Sequence, residues 1–490
     1  MTAAEPVAPS PSRARTNRIV VAVTVAAAAA ILSAQLLVPP VVGLADNGDF
    51  DRVMRAVGLD YVGTTRAQNF GNWALVRFRR VPASPASTYT TSEVPLAAVA
   101  VALSDRLGSP ESFDVRWLGA LHALLLVAAL GLLASSTRDL TQGLQWLAAA
   151  LLVFFFTDVG YAAPLNSLYA QVAAFLFLML AAGITAGGIR RGGARGVRLL
   201  AYFAAAALFV TAKPQQAIHG PLLAALGLAL AGVAFRRLLT QPAVWLAAGL
   251  CALSLWCYLG TPSWLRELAL YDTLFREILP HSPDPARDLA ELGLDPDLAR
   301  YAGHSPYPPD SPFHDPAFRA RVFPRYGYGA MLRFYLRHPR RAASLLHRAS
   351  GSAFHLRAVG LGNFPEDSGR PARSQSERFS AWSTARDRLR AGAPAWLALL
   401  IGGSVAAAAA GWRGATSRGR LFRLAIAILA AMATVELLVA VLADIIGDLA
   451  RHLFVFHAMV DLLIAADLVW LAHAAFNRRR AARPSMSAGR

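Results

Sequence analysis

Long apolar stretches recur along this 490-residue chain, and they constrain its fold more than any other feature. A run of about 18 or more apolar residues with few charges is typical of a transmembrane helix. Hydrophobic residues make up 55% of the chain and charged residues only 16%, and the mean hydropathy is +0.41. We therefore predict an all-α polytopic membrane protein with about ten transmembrane helices, near residues 19–38, 115–134, 143–157, 166–187, 198–212, 216–234, 243–260, 394–412, 421–443 and 453–475.

The net charge of +18 raises the question of a nucleic-acid partner, but its distribution argues against one. Arginines cluster in short loops between apolar stretches, near residues 138, 190–198, 236–237, 413–423 and 478–480. Cytoplasmic loops of membrane proteins carry such an excess of Lys and Arg. When the ten spans alternate across the membrane, all these loops fall on one side. We therefore expect a multi-pass protein of the cytoplasmic membrane with both termini in the cytoplasm, a lipid-bilayer environment and no nucleic-acid partner.

This topology divides the chain into five regions. They are a disordered cytoplasmic tail at 1–18, a transmembrane bundle at 19–260 that contains a first outer loop at 41–113, an extracytoplasmic segment at 261–393, C-terminal transmembrane helices at 394–475 and a basic cytoplasmic tail at 476–490.

The first outer loop is predicted to be amphipathic. Phe50, Val53, Met54 and Val57 have the spacing of one apolar helix face, and either Asn47 or Asp49 is expected to cap that helix. Residues 94–103 are apolar but too short to span, so they predict a surface or re-entrant helix.

The outer segment contains histidines and aspartates whose spacing matches no compact metal motif. We instead predict a packed lid with an aromatic core formed by Tyr301, Tyr307, Phe313, Phe318, Phe323, Tyr326 and Tyr328.

A dense group of acids follows the first apolar stretch, in the sequence Leu44-Ala45-Asp46-Asn47-Gly48-Asp49-Phe50-Asp51-Arg52. Such a group can be a solvated helix cap, which is the ordinary role of acids at a helix end. It can also line an active site. Asp51 is followed by Arg52 and is the expected surface residue, which leaves Asp46 and Asp49 as the candidate catalytic pair, with Asp49 preferred.

Further polar residues collect at helix ends on the same predicted outer side. Ionisable residues at membrane depth are costly and tend to mark functional sites. We expect an outward-facing cavity that binds substrate, lined by Asn166, Tyr169, Lys213, Gln215, Asp448, Arg451 and His452, with Asp158 and Asp444 nearby.

Carboxylates beside cations near the membrane surface suit a lipid-linked phosphate with a polar head. Lys213, Arg451 and His452 are the candidates to neutralise the phosphate, since arginine binds phosphate in a fork and lysine as a point charge. One carboxylate would act as the general base toward an acceptor hydroxyl. A second would hold that hydroxyl or a divalent metal, and the sequence leaves both open. No other cofactor and no metal ligand is assigned.

The chain resembles the class C (GT-C) glycosyltransferases, in which the catalytic aspartate lies in the first outer loop. More narrowly, it resembles bacterial surface-glycan hexose transferases of the WsfD-like kind. The matching stretches are 46–52, Pro164-Leu165-Asn166-Ser167-Leu168-Tyr169, Ser282-Pro283-Asp284-Pro285 with 288–294, 447–454 and, more weakly, Leu361-Gly362-Asn363-Phe364. Arg451 stands where a lysine is expected, and Ala170-Gln171 stand where an acidic or glycine residue is expected.

This resemblance implies an integral-membrane, inverting glycosyltransferase with a polyprenyl-phosphate sugar donor and a cell-surface glycan or lipid-linked acceptor, acting on the outer face of the membrane. The alternative is a transporter or flippase for a lipid-linked or anionic solute. Transporters often contain internal repeats and helices broken at the bilayer midplane. The sequence has no evident repeat, and its polar residues lie at helix ends on one side.

Overall fold

The structure is a computed structural model that describes residues 11–84, 91–232, 241–443 and 449–481. Seven helices in these ranges are long and apolar enough to cross a membrane. An eighth span results if the helix 142–156 and the segment 159–165, which meet at a 58° bend, are counted as one. The predicted class, an all-α polytopic membrane protein, is confirmed.

Helices dominate the N-terminal half of the chain. They are α1 (Pro11–Leu36), α2 (Asp51–Met54), α3 (Arg66–Asn69), α4 (Glu93–Leu107), α5 (Arg116–Ser136), α6 (Gln142–Phe156), α7 (Val159–Ala162), α8 (Gln171–Arg191), α9 (Val197–Val210), α10 (Gly220–Ala231) and α11 (Pro242–Leu259). Short 3₁₀ turns at Arg55–Val57, Thr137–Asp139, Ala163–Leu165 and Pro214–His219 extend or join them.

The outer segment is built from shorter helices. They are α12 (Ser263–Tyr271), continued by a π-helix at Asp272–Ile278, α13 (Pro285–Glu291), α14 (Pro316–Val322), α15 (Tyr328–Arg337), α16 (Pro339–Ser350) and α17 (Ala381–Arg388), with 3₁₀ turns at Pro296–Tyr301, Pro312–His314, Gly351–Phe354, Glu366–Ser368 and Arg390–Gly392.

Three more spans close the chain. The first is continuous through α18 (Ala393–Leu397), a π-helix at Ala398–Gly402 and α19 (Gly403–Ala410), and it is followed by α20 (Ser417–Ala443), the short α21 (Leu449–His452) and α22 (Phe454–Ala481).

Helices lie at all ten predicted span positions, and seven of them, or eight with the bent pair, meet the length and hydropathy of a span within the described residues. The helices α9 and α10 have 14 and 12 residues. At about 1.5 Å per residue each is roughly 20 Å long, short of a hydrocarbon core of about 30 Å. The predicted disordered tail at 1–18 is also too long, because α1 already begins at Pro11; residues 1–10 lie outside the described part of the chain.

The first loop contains a small antiparallel sheet in the order β1-β2-β3, formed by Leu59–Asp60, Arg77–Arg80 and Ser112–Asp114. Phe78 of β2 is buried between Phe50 and Phe113, with ring centroids 6.5 and 6.4 Å away. The sheet therefore packs against the acidic stretch through the contact of Phe78 with Phe50.

The amphipathic helix predicted in this loop is present but short. Phe50, Val53, Met54 and Val57 are buried as expected. However, α2 has only four residues and passes into a 3₁₀ turn that ends at Gly58, whose φ of 70° is left-handed. Neither Asn47 nor Asp49 caps the helix, so that part of the prediction was wrong. The predicted helix at 94–103 lies within α4.

The outer segment has the predicted aromatic core, with one exception. Phe313, Phe318 and Tyr326 are buried there together with Tyr271 and Phe275. Tyr307 is 66% exposed and lies outside the core, so its assignment was wrong. A π-helix places Phe275 at the centre of this cluster, 5.6 Å from Phe318 by ring centroids.

Candidate active site

The acidic stretch folds into a tight loop around the Asp46 carboxylate. Its Oδ1 accepts the amide hydrogens of Gly48 (2.6 Å) and Phe50 (3.2 Å), and its Oδ2 accepts the Tyr61 hydroxyl (2.5 Å). Gly48 has a φ of 99°, which favours glycine. Because Asp46 is only 1% exposed and both its oxygens are hydrogen-bonded, it organises the loop from inside.

Two distant segments hold the loop in place from one side. The amide of Ala45 donates to Gly362 O (2.9 Å), and the amide of Gly43 donates to Asn363 O (2.9 Å). The Asn363 side chain donates in turn to Gly43 O at 3.0 Å. A side chain at Gly362 has no room, because its Cβ would lie 2.1 Å from the backbone oxygen of Asn72. The weak 361–364 sequence match thus corresponds to direct contact with the acidic stretch.

Tyr169 holds the loop from the other side. Its buried hydroxyl donates to Ala45 O (2.8 Å) and accepts the Asn47 amide hydrogen (3.0 Å). Its ring packs edge-on against Phe50, with centroids 4.8 Å apart. The guanidinium of Arg451 lies 5.6 Å from the same ring centroid, a cation–π contact. Tyr169 therefore connects the acidic loop to Arg451.

Arg451 contacts the candidate base directly. Its Nη1 lies 2.6 Å from Asp49 Oδ2, and its side chain is only 4% exposed. The Asn47 amide, turned so that its oxygen faces the guanidinium, accepts from Arg451 Nε and Nη2 at 2.9 Å each. Arg52 Nη2 reaches the other Asp49 oxygen at 2.9 Å. Asp49 itself retains 18% of its side-chain surface, so it is the more accessible of the two candidate aspartates.

Two further side chains complete the cluster. His452 Nε2 lies 2.7 Å from Arg451 Nη2, and His452 Nδ1 lies 3.5 Å from Lys213 Nζ. Lys213 immediately precedes the 3₁₀ turn that leads into α10. Residues 49, 52, 213 and 451–452 therefore meet although they are far apart in sequence. We refer to Asp49, Arg52, Lys213, Arg451 and His452 as the Asp49 cluster.

The two aspartates titrate in opposite directions. Burial raises the pKa of Asp46, and its three hydrogen bonds only partly oppose that rise. Burial also acts to raise the pKa of Asp49, but the charges of Arg451, Arg52, Lys213 and His452 outweigh it and hold that pKa well below the usual value. Asp49 is therefore ionised across the physiological range.

The other predicted site residues lie elsewhere. Asn166 is 2% exposed, and its Nδ2 donates to Leu36 O (2.9 Å) and Val42 O (2.8 Å), which fixes the end of α1. Gln215 donates to Glu436 Oε1 at 2.8 Å. Asp158 accepts from Gly160, Trp382 and Ser383 amides and thereby caps two helices. Asp444 and Asp448 fall in 444–448, outside the described residues.

A family model for the YfdI N-terminal transmembrane domain matches residues 11–487. The chain belongs to this family. No curated protein and no solved structure matches it. The match does not name the WsfD-like hexose transferases, so that narrower resemblance stays a prediction.

In this YfdI-family chain three fully buried acids were not predicted from the sequence. Glu436 of α20 accepts from Gln215, Gln216 (2.9 Å) and His219 (2.8 Å). Glu93 pairs with His122 at 2.9 Å, and both side chains are fully buried. Asp461 of α22 pairs with Arg386 at 2.8 Å. An acid inside an apolar stretch is the signal that identifies Glu436 and Asp461.

Two sequence matches in the outer segment also lie apart from the Asp49 cluster. Asp284 caps α13 by accepting the Arg287 amide at 3.1 Å, and Asp288 pairs with Arg341. Within 11–84, 91–232, 241–443 and 449–481, no group of three His, Cys, Asp or Glu residues is arranged to hold a metal ion. The outer motifs serve the packing of this segment.

Proposed function

We propose that this protein is an integral-membrane glycosyltransferase that transfers a sugar from a polyprenyl-phosphate donor to a glycan or lipid-linked acceptor outside the cytoplasmic membrane. The observation that carries the proposal is the accessible carboxylate of Asp49, which contacts Arg52 and Arg451, with His452 beside Arg451 and Lys213 beside His452. Membership of the YfdI family, a GT-C-like group of membrane glycosyltransferases, supports it.

The cations suit the donor phosphate. Asn47 and Tyr169 hold the Arg451 guanidinium, and its Nη1 contacts Asp49. A phosphate that replaced Asp49 there would meet a planar group able to bind two phosphate oxygens. Lys213 adds a flexible point charge beside it. When the bond from the anomeric carbon to the phosphate oxygen breaks, these cations stabilise the negative charge that returns to the phosphate.

Asp49 is the proposed general base, and the same cations control it. In the absence of donor, its low pKa makes it a poor base, because a base works best with a pKa near the operating pH. A bound phosphate would compete for Arg451 and Lys213 and so raise the pKa of Asp49. The Asp49 carboxylate would then take the proton of the acceptor hydroxyl while the hydroxyl oxygen bonds to the anomeric carbon. The configuration at that carbon is inverted. Asp46, which is almost fully buried and bonded to the amides of its own loop, is proposed to shape the loop.

A deletion strain tests the function. We expect its surface glycan to lack one sugar residue and its polyprenyl-phosphate sugar to accumulate on the outer leaflet. Wild-type protein and the Asp51→Asn control should restore the glycan, whereas Asp49→Asn, inserted at the same level, should not. Asp51 is a matched control because it is two residues away and pairs with Arg55 instead.

Two results would overturn the proposal. One is full restoration of the glycan by Asp49→Asn. The other is accumulation of the lipid-linked sugar on the inner leaflet, which indicates a flippase.

A further inference from the structure

A large cleft lies at the opposite end of the bundle from Asp49. It has a volume of about 700 Å³ and is lined by parts of α5, α6, α8, α9, α10, α20 and α22. The helix α8 starts two residues after Tyr169 at the candidate active site and ends at Arg191. With about 1.5 Å per residue, Arg190 lies roughly 28 Å along the helix from Gln171. The end of the cleft at Arg190 is therefore far from the Asp49 cluster.

The walls of the cleft are apolar along their length. On α8 they extend from Leu178 to Arg190, and on α20 from Arg418 to Met432. These stretches correspond to roughly 18 and 21 Å of helix. One leaflet of a hydrocarbon core of about 30 Å is about 15 Å deep, so the cleft has the depth of one leaflet. Its volume also lies within the range of about 300–1,000 Å³ that ligand sites occupy.

The positive charge of the cleft is concentrated at one end. Arg190, Arg418 and Arg423 line that end, and Asp139 is the acid among the lining residues. Asp139 lies 3.9 Å from Arg418, and both side chains are 43% exposed, so this pair is a weak one. Arg423 donates to Ala407 O at 2.6 Å. The end therefore has more positive than negative charge.

Arg190 is the most informative of these residues. Its Nε is buried and has no hydrogen-bond partner, and within the described ranges the guanidinium forms no ion pair. The neighbouring Arg191, in contrast, donates to Gly187 O at 3.0 Å. A phosphate in the cleft would give the guanidinium charge-assisted hydrogen bonds, which are stronger than bonds to neutral acceptors.

We propose that this cleft binds an anionic glycerophospholipid, with its acyl chains along the apolar walls and its phosphate on Arg190 and Arg418. Basic pockets between transmembrane helices bind anionic headgroups, which are plentiful in the cytoplasmic leaflet. The depth of one leaflet and the location of the charge at one end fit a bilayer lipid. The predicted topology also places this end in the cytoplasm, where the arginine-rich loops lie.

The test is native mass spectrometry of the full-length protein after incubation with phosphatidylglycerol or phosphatidylcholine in detergent. We expect wild type to retain phosphatidylglycerol at least fivefold more than phosphatidylcholine. Arg190→Gln/Arg418→Gln should lose most of this preference. The matched control Arg198→Gln/Arg420→Gln removes two exposed charges from the same end that do not line the cleft, and it should behave as wild type.

A second variant tests the apolar walls without a change in charge. Ala182→Phe projects a ring into the cleft and should reduce retention of both lipids at least threefold, with an unchanged gel-filtration profile. Equal retention of the two lipids by wild type would overturn the proposal. So would the same loss in the control pair as in Arg190→Gln/Arg418→Gln, or copurification of a polyprenyl phosphate in place of phospholipid.

Discussion

Two polar clusters contain the same residue types, an aspartate, an arginine and a histidine, yet they differ in environment. Asp461 accepts from Arg386 Nη1 (2.8 Å), Tyr161 (2.7 Å) and Trp382 (2.8 Å), and Arg386 Nη2 also contacts His457 Nδ1 at 2.9 Å. The Asp461 and Arg386 side chains are 0% and 2% exposed. We refer to Asp461, Arg386, Tyr161, Trp382 and His457 as the Asp461 network. It connects α17 of the outer segment to α22, and its ion pair is buried from solvent.

The Asp49 cluster is built differently. Several cations surround one carboxylate, and Asp49 and Arg52 each retain 18% of their side-chain surface. A single buried pair with matched hydrogen bonds holds two elements together, whereas many cations around an accessible acid are arranged for a ligand. Exposure and the number of cations, more than residue type, therefore separate a structural network from a candidate site.

The largest expected effect is a loss of sugar-transfer activity on substitution of Asp49. Asp49→Asn should lower the rate of sugar transfer by about 10²–10⁴-fold, the usual contribution of a general base. The amide oxygen still accepts from a guanidinium, so the thermal midpoint should change far less than the activity. The measurement is transfer from a labelled polyprenyl-phosphate sugar to isolated acceptor by purified protein in lipid nanodiscs, with Asp51→Asn as control. Equal rates for wild type and Asp49→Asn would mean that Asp49 is not the general base, and the two clusters would then not differ in function.

The reverse pattern is expected in the Asp461 network. Asp461→Ala leaves Arg386 charged and buried, which should cost about 3–5 kcal/mol of stability. The double variant Asp461→Leu/Arg386→Met removes both charges and should recover most of that loss. Thermal unfolding in detergent measures both variants. If Asp461→Ala melts like wild type but has lost transfer, then this network has a direct role in the reaction.

A smaller effect should come from the fork of Arg451. Arg451→Lys keeps the charge but loses the contacts to Asn47, and each charge-assisted hydrogen bond contributes about 1.5–3 kcal/mol. We expect the KM for the donor to rise by about 10–100-fold, with a smaller change in kcat. Steady-state kinetics with varied donor measures this split. A fall in kcat alone, at constant KM, would argue against a phosphate-binding role.

The smallest effect concerns pH and Asp46. Its pKa is raised in the folded state, so the folded protein binds the proton more tightly than the unfolded chain. The resulting stabilisation is fully present below the unfolded pKa of about 3.9 and is lost as pH rises through the folded pKa. Relative to Asp46→Asn, the wild-type melting temperature should therefore fall as pH rises from about 4. Parallel curves of melting temperature against pH for the two proteins would contradict this assignment.

Sequence reasoning predicted the parts of this protein that depend on local composition. Apolar length identified helices at all ten positions, and the spacing of Phe50, Val53, Met54 and Val57 identified a buried face. Helix lengths were less accurate, because the breaks near Thr157 and Lys213 arise from turns that an apolar average does not detect. Tyr307 was misassigned since aromatic character alone does not indicate which ring enters a core.

For the candidate site, too, local composition predicted some features and not others. The sequence by itself determined that a membrane protein would place acids after its first span and cations at later helix ends, because charge in an apolar chain is conspicuous. Only the tertiary structure decided that Asp46 turns inward, that Asn166 secures α1 and that Arg451 meets Asp49 across 402 residues. Those outcomes depend on the packing of distant helices and on each polar atom finding a partner, and neither is encoded by local pattern.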